Sequence, residues 1–262
     1  MSNPEVLAGA EAFYAEGNRT GVLVIHGYSG SPHSVRPLAE SLAQAEYTVA
    51  LPRLSGHGTT PDDMAMTTAS DWISDIHTAL DWLRRRCDTL FVTGLSMGGT
   101  LSLYLAAQYP ELFQGAIPIN AAIFVNNPDL ASLVYMRGGP AEVPGVGGDI
   151  KAPNITELSY PVIPVSSIKE LLVIMKVTEE MLPRITCPAL LVTSRQDHVV
   201  PPNNGDFILS RISSQEKRIL WLEESYHVAT LDNDKEQIIQ ESIAFINAHT
   251  PVRQFRITPT YH

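Results

Sequence analysis

Ser96 stands in the pattern Gly94-Leu95-Ser96-Met97-Gly98, a hydroxyl set between glycines. Thr89-Leu90-Phe91-Val92-Thr93 precedes it and reads as a short buried strand, while residues 99–107 read as a helix. A strand, a tight turn and a helix hold such a serine out over a helix N-terminus, and the glycines leave room for the turn. A serine so placed can attack a carbonyl carbon if a base takes its proton and an acid orients the base. In this arrangement the acid and the histidine follow the serine in the chain. The downstream histidines are His198, His227, His249 and His262. His227 comes just after the apolar run 218–222, on a loop expected to overhang the serine, and is the candidate base. Asp197, just past residues 190–193, is the candidate acid. His198 adjoins it and would compete for the same place. Asp232 is the alternative acid, but its position ahead of the last helix reads as a helix cap. The oxyanion needs two backbone N–H donors. Met97, after the nucleophile, offers one, and Tyr28 in His26-Gly27-Tyr28-Ser29-Gly30 offers the other. His26 itself reads as structural, holding that loop by a hydrogen bond.

These residues need a scaffold, and the chain alternates strand with helix. Val22-Leu23-Val24-Ile25 is a continuous apolar run, as in a strand buried on both faces. Residues 34–46 follow as an amphipathic helix, 47–51 as a strand, and 70–86 as a helix capped by Ser70. Further strands are expected at 116–120, 189–193 and 218–222, and a last helix at 235–248. The fold class is therefore α/β, a mostly parallel sheet covered by helices on both faces. Between Asn120 and Cys187 the rhythm breaks, with no clear strand but with glycines, prolines and apolar helical pieces. A structureless loop of that length is uncommon, so the segment reads as a small inserted cap. The organisation is a core of residues 1–122 and 185–250, a cap of 123–184 and a tail of 251–262. In the cap, Phe124, Met136, Ile168 and Met175 could face either a core or a cleft.

Composition narrows the partners. The chain has 262 residues, enough for one large core, and its net charge of −10 disfavours nucleic acid and anionic surfaces. Arg84-Arg85-Arg86 ends a predicted helix, where it suits the helix dipole. Cys87 and Cys187 are the only cysteines, and neither a disulfide framework nor a metal spacing appears. No apolar run approaches the roughly 20 residues of a spanning helix, and no signal peptide is evident, so a cytoplasmic location is expected. Ser55-Gly56-His57-Gly58 lacks the lysine of a phosphate loop and reads as loop-shaping. His33 and His77 fall on helix surfaces.

Taken together, these stretches resemble the α/β-hydrolase fold, and more narrowly the bacterial monoacylglycerol lipases and related small carboxylesterases. The resemblance runs through residues 24–30, 52–58, 94–100, Asp197-His198-Val199-Val200-Pro201-Pro202 and residues 225–232. It implies a triad of Ser96, Asp197 and His227 and hydrolysis of a monoacylglycerol to glycerol and free fatty acid through an acyl-enzyme. The implied partner is a small ester with a single acyl chain; no metal or cofactor is implied. It also places Glu157 near a glycerol head group, although an exposed glutamate in a cap is otherwise simply solvated. Tyr28 stands where relatives often carry Phe. The same triad chemistry serves a broader carboxylesterase, lactonase, amidase or perhydrolase, and some proteins of this fold only bind ligands.

Overall fold

The structure, a computed structural model, describes residues 4–125, 128–136 and 138–251. The predicted tail lies outside them beyond Pro251, as does His262.

Seven strands form one sheet: β1 (Phe13–Ala15), β2 (Thr20–Ile25), β3 (Thr48–Leu51), β4 (Thr89–Leu95), β5 (Gly115–Ile119), β8 (Ala189–Ser194) and β9 (Lys217–Leu222). Their spatial order is β1-β3-β2-β4-β5-β8-β9, and all pairs are parallel except β1 with β3. Every residue of β2, β3, β5 and β8 is buried, because both faces are covered. Side-chain alternation splits the core into two layers. Leu23, Ile25 and Val92 face Trp72, Ile76 and Leu83 of α3 (Ala69–Arg84) and Leu101 and Leu105 of α4 (Met97–Gln108). Val22, Val24 and Phe91 face Leu38 and Leu42 of α1 (Arg36–Gln44) and Ile238 and Ile246 of α8 (Lys235–His249).

Several local expectations need correction. The helix predicted over 34–46 is a 3-10 turn at Pro32–Val35 followed by α1. The cap of α3 is Thr68 rather than Ser70, since the Thr68 N–H and hydroxyl both donate to Asp71 Oδ2 (2.8 and 2.7 Å). At its other end Arg84 reaches back to Asp81 (3.5 Å), and Arg86 lies over the Trp82 ring and pairs with Glu16. Those arginines therefore do more than face a dipole. Two short helices, α2 (Pro61–Ala65) and α7 (Asn203–Arg211), were not anticipated.

Between β5 and β8 the chain forms α5 (Pro128–Tyr135), a two-stranded antiparallel ribbon of β6 (Glu142–Pro144) and β7 (Val162–Pro164), and the long α6 (Val165–Met181). The segment expected to lack strands thus contains two. It is fastened to the sheet's C-terminal edge. Tyr160 N–H donates to Ser29 O (3.0 Å), and its hydroxyl donates to Gly56 O (2.9 Å). Gly56 and Gly58 turn there with φ of +75° and +67°, so the Ser55–Gly58 run does shape a loop.

Asp232 is not the cap of α8; Asp234 takes that position. Asp232 is buried, and its carboxylate accepts backbone N–H groups from Lys151 and Tyr226 at Oδ2 (2.7 and 2.8 Å) and from Ala152 and Asn233 at Oδ1 (both 2.8 Å). It ties the inserted segment to the loop after β9. Asp232→Ala leaves these donors without an acceptor and should cost about 3 kcal/mol or more. Urea denaturation of the variant beside the wild type measures this.

Candidate active site

At the end of β4 the backbone doubles back into α4, and Ser96 adopts φ +57° and ψ −118°. That is a left-handed conformation, costing a non-glycine residue about 1–3 kcal/mol. The tightness of the turn explains the glycines. A Cβ on Gly98 would run into the Ile25 carbonyl oxygen, and one on Gly94 into that of Gly98. Ser96 N–H donates to Ile119 O (2.9 Å), which pins the turn to β5. Met97 is the first residue of α4, so its N–H has no acceptor within the helix.

The loop after β2 lies alongside. A Cβ on Gly27 would stand 3.4 Å from Ser96 Cβ, so the Gly27–Tyr28 peptide passes directly beside the serine. His26 holds that loop: its Nδ1 donates to Gly27 O (2.9 Å), and its Nε2 accepts from Leu54 N–H (3.1 Å). Complete burial pushes its pKa well below the ordinary imidazole value, keeping the ring neutral. Ser167 Oγ donates to Pro164 O (2.8 Å), so the Tyr28 hydroxyl donates to Ser167 Oγ (2.6 Å). Burial also raises the Tyr28 pKa, so the hydroxyl stays protonated. It fastens the loop to α6.

Asp197 and His227 meet. His227 Nδ1 lies 2.7 Å from Asp197 Oδ2, and both side chains are almost fully buried. Asp197 Oδ1 accepts from Val199 and Val200 N–H (2.8 and 2.7 Å), which fixes the carboxylate's rotation. His198 does not compete for this place; its ring Nδ1 reaches Asp149 Oδ1 (2.8 Å), and it packs edge-on against Tyr226. Two residues passed over in the sequence hold the histidine loop. Asp149 Oδ2 accepts from both His227 and His198 N–H (3.1 Å each). Asn120, buried with φ +43°, donates from Nδ2 to His227 O (2.8 Å) and Ser194 Oγ (3.0 Å), and its Oδ1 accepts from Ser194 N–H (2.8 Å). His249 bonds Phe245 O and Glu216 at the far end of the sheet, away from this site.

Ser96, His227, Tyr28 and Glu157 line one cavity of about 250 Å³. Its remaining wall is mostly aliphatic and includes Ile168 and Met175. Of the other two apolar candidates, Phe124 packs on Phe207 and Met136 is 60% exposed. Among the described residues, no group of three or more His, Cys, Asp or Glu side chains is placed to hold a metal ion.

With this geometry in hand, the sequence profile of the Hydrolase_4 family, described as serine aminopeptidase S33, matches residues 17–139 and 154–234. The chain belongs to this family. It is 51% identical over 247 residues to a thermostable monoacylglycerol lipase of Bacillus sp. (strain H-257), spanning 93% of this chain and 97% of that one. It is 26% identical to a carboxylesterase of Bacillus subtilis (strain 168), spanning 89% and 95%. A solved structure from work on the metagenome-derived lipolytic enzymes LipS and LipT superimposes with a TM-score of 0.93 at 59% identity, covering 94% of this chain and all of that one. The Hydrolase_4 chain is thus an α/β-hydrolase, and no helix among its described residues is long and apolar enough to cross a membrane.

The charges in this Hydrolase_4 site bear on His227. Burial alone pulls its pKa down, but the charge and hydrogen bond of Asp197, followed by Glu157 and Asp149, raise it above the ordinary imidazole value. Burial raises the Glu157 pKa, offset by the N–H of Gly148 (3.1 Å from Oε2) and by His227. His227 should therefore titrate above about 6.5 in an NMR titration of its ring. Glu157→Gln removes one of the groups favouring the imidazolium, so the midpoint should move to lower pH in the same measurement.

Proposed function

We propose that the protein hydrolyses monoacylglycerols to glycerol and free fatty acid. One observation carries the reading: a single cavity joins Ser96 and the His227–Asp197 pair to a carboxylate, Glu157, and to an aliphatic wall. A polar head and an acyl chain would both find matching surfaces in the cavity that holds the serine. The resemblance to a monoacylglycerol lipase at 51% identity supports the same choice.

Ser96 Oγ attacks the ester carbonyl carbon while His227 Nε2 takes the hydroxyl proton. The Nδ1–H held by Asp197 Oδ2 keeps Nε2 available as the acceptor and balances the imidazolium that forms. The negative oxygen of the tetrahedral intermediate accepts from Tyr28 and Met97 N–H, each donor lowering the barrier by about 3 kcal/mol. The intermediate collapses as His227 returns the proton to the leaving glycerol oxygen. Water then enters by the same route: His227 takes its proton, the hydroxide oxygen bonds to the acyl carbon, and Ser96 leaves with the proton restored. Glu157 accepts hydroxyls of the glycerol head, and each acyl methylene buried against the wall contributes about 0.8 kcal/mol. The segment 123–184 acts as a cap that supplies both surfaces.

Ser96→Ala should reduce hydrolysis of a glycerol monoester by roughly 10⁴-fold or more, and turnover near the wild-type rate would overturn the nucleophile assignment. The base works only when neutral, and its pKa is raised, so kcat/KM should fall as pH drops through a value above about 6.5. At a pH above that limb, Glu157→Gln should slow a glycerol monoester by about tenfold or more and leave a nitrophenyl ester of the same acid nearly unchanged. Equal losses on both esters would remove the glycerol role from Glu157.

A further inference from the structure

Asp197 and His227 sit on separate loops, 30 residues apart in sequence, and their 2.7 Å contact requires a fixed gap between those loops. At the roots of the loops, Ser194 and Asn120 hold the gap: Ser194 Oγ donates to Tyr226 O (2.8 Å), and Asn120 Nδ2 donates to His227 O (2.8 Å). At the tips, a carboxylate of the inserted segment spans it. Asp149 Oδ2 accepts the N–H of His227 and the N–H of His198, the residue directly after Asp197 (3.1 Å each). The other oxygen, Oδ1, accepts from His198 Nδ1 (2.8 Å), so the carboxylate is kept from turning away from the two N–H groups.

Backbone contacts hold Asp149 itself in place. Its carbonyl accepts Val228 N–H (3.0 Å), and the next residue, Ile150, packs against the core layer under α1 and α8. Lys151 and Ala152 N–H are bound by Asp232, while on the other side Gly148 N–H reaches Glu157 Oε2 (3.1 Å). The turn therefore keeps its position when the carboxylate alone is altered. The Asp149 side chain is 17% exposed, and charge-assisted bonds shielded in this way are stronger than neutral ones. Its neighbours Gly147, Glu157 and His198 border the cavity beside Ser96, but Asp149 does not. It can reach the reaction only through the loops it binds.

We propose that Asp149 is a positioning residue: from the inserted segment it clamps the backbone of His227 to the backbone beside Asp197, and so sets the spacing of the acid and the base. This rests on Asp197 and His227 serving Ser96 as described above. A misplacement of about an ångström between reacting groups can cost a hundredfold in rate, so the clamp acts on kcat rather than on substrate binding.

Two substitutions separate the clamp from the charge. Asp149→Asn loses the charge but keeps an acceptor oxygen in the same place, and its Nδ2 can donate to His198 Nδ1 once that ring changes tautomer. Asp149→Glu keeps the charge, but its extra methylene carries both oxygens past the two N–H groups. On a nitrophenyl ester, above the acid limb, kcat should fall about tenfold or more in Asp149→Glu with KM little changed, and stay within about threefold of wild type in Asp149→Asn. The charges raising the His227 pKa are those of Asp197, Glu157 and Asp149, and Asp149→Asn removes the last, so its acid limb should move to lower pH. The downfield NMR signal of the His227 Nδ1 proton should persist in Asp149→Asn and weaken or move upfield in Asp149→Glu. Asp149→Asn impaired as much as Asp149→Glu overturns the clamp, as does full activity in both or a loss confined to KM. If Asp149→Glu does not fold, Asp149→Ala takes its place, and activity there like that of Asp149→Asn overturns the clamp. Wild-type protein that turns over neither the nitrophenyl ester nor a glycerol monoester would instead overturn the hydrolase reading, while the proton signal, which needs no turnover, still tests the clamp.

Discussion

The backbone-to-backbone contact at the turn after β4 governs the rest of the molecule. Gly98 sits so close to Ile25 that no side chain fits, and a Cβ on Gly99 would stand 2.8 Å from the Ala121 Cβ and 3.2 Å from the Gly94 carbonyl oxygen. The serine can be lifted out of the sheet only because two strands and a helix close in around it. β2 approaches from one side, β5 accepts the Ser96 N–H on the other, and α4 begins at once behind. The strained φ of Ser96 persists because this packing over-determines it. The same closeness brings Gly27 against Ser96, so the positions of the proposed nucleophile and of the proposed second oxyanion donor are consequences of one contact.

Beyond the strand ends there is no ladder to satisfy backbone N–H groups, and buried donors must find acceptors. Side-chain carboxylates and one carboxamide serve instead. Asp197 takes two N–H groups of its own loop, Asp149 joins the His198 and His227 backbones, and Asp232 gathers donors from both the inserted segment and the histidine loop. Asn120 closes the set from the end of β5. The bonds to Asp149 and Asp232 cross between segments far apart in sequence. The inserted segment is therefore built into the loops that carry Asp197 and His227, rather than laid over them.

Much of this was legible in the sequence for a physical reason. Strands buried on both faces are continuous apolar runs, which is why Val22–Ile25 and the stretch before Ser96 stood out. Residues proposed for chemistry sit just past such runs, so Ser96, Asp197 and His227 could be picked by position. Very short strands carry no such pattern: β1 has three residues, and β6 and β7 are equally short and contain prolines. α7 follows Pro201-Pro202, which looks like a loop. Asp232 was misread because an acid just ahead of a helix has the same sequence signature whether it caps that helix or points elsewhere. Asp149 and Asn120 carried no signal at all, since their roles are contacts with loops that only the fold brings near. The outcome for Glu157 was mixed. It does reach the cavity, but it is partly buried and bonded to Gly148 rather than freely solvated.

His26 illustrates how a residue outside the reacting set can still shape the reaction. The carbonyl it donates to is that of Gly27, and this carbonyl belongs to the same peptide unit as the Tyr28 N–H. Because a trans peptide is planar, fixing the direction of the carbonyl fixes the opposite direction of the N–H. The ring is itself fixed by Leu54 N–H at its other nitrogen, which sets the tautomer, and burial keeps it uncharged. Leu54, His26 and the Gly27–Tyr28 peptide thus form one chain of hydrogen bonds, in which each donor is polarised by the next acceptor. The Tyr28 side chain anchors the same peptide from above through Ser167 of α6. The proposed oxyanion donor is held from below by the core and from above by the inserted segment. Its alignment does not wait for substrate, and reorganisation at the moment of charge development is kept small.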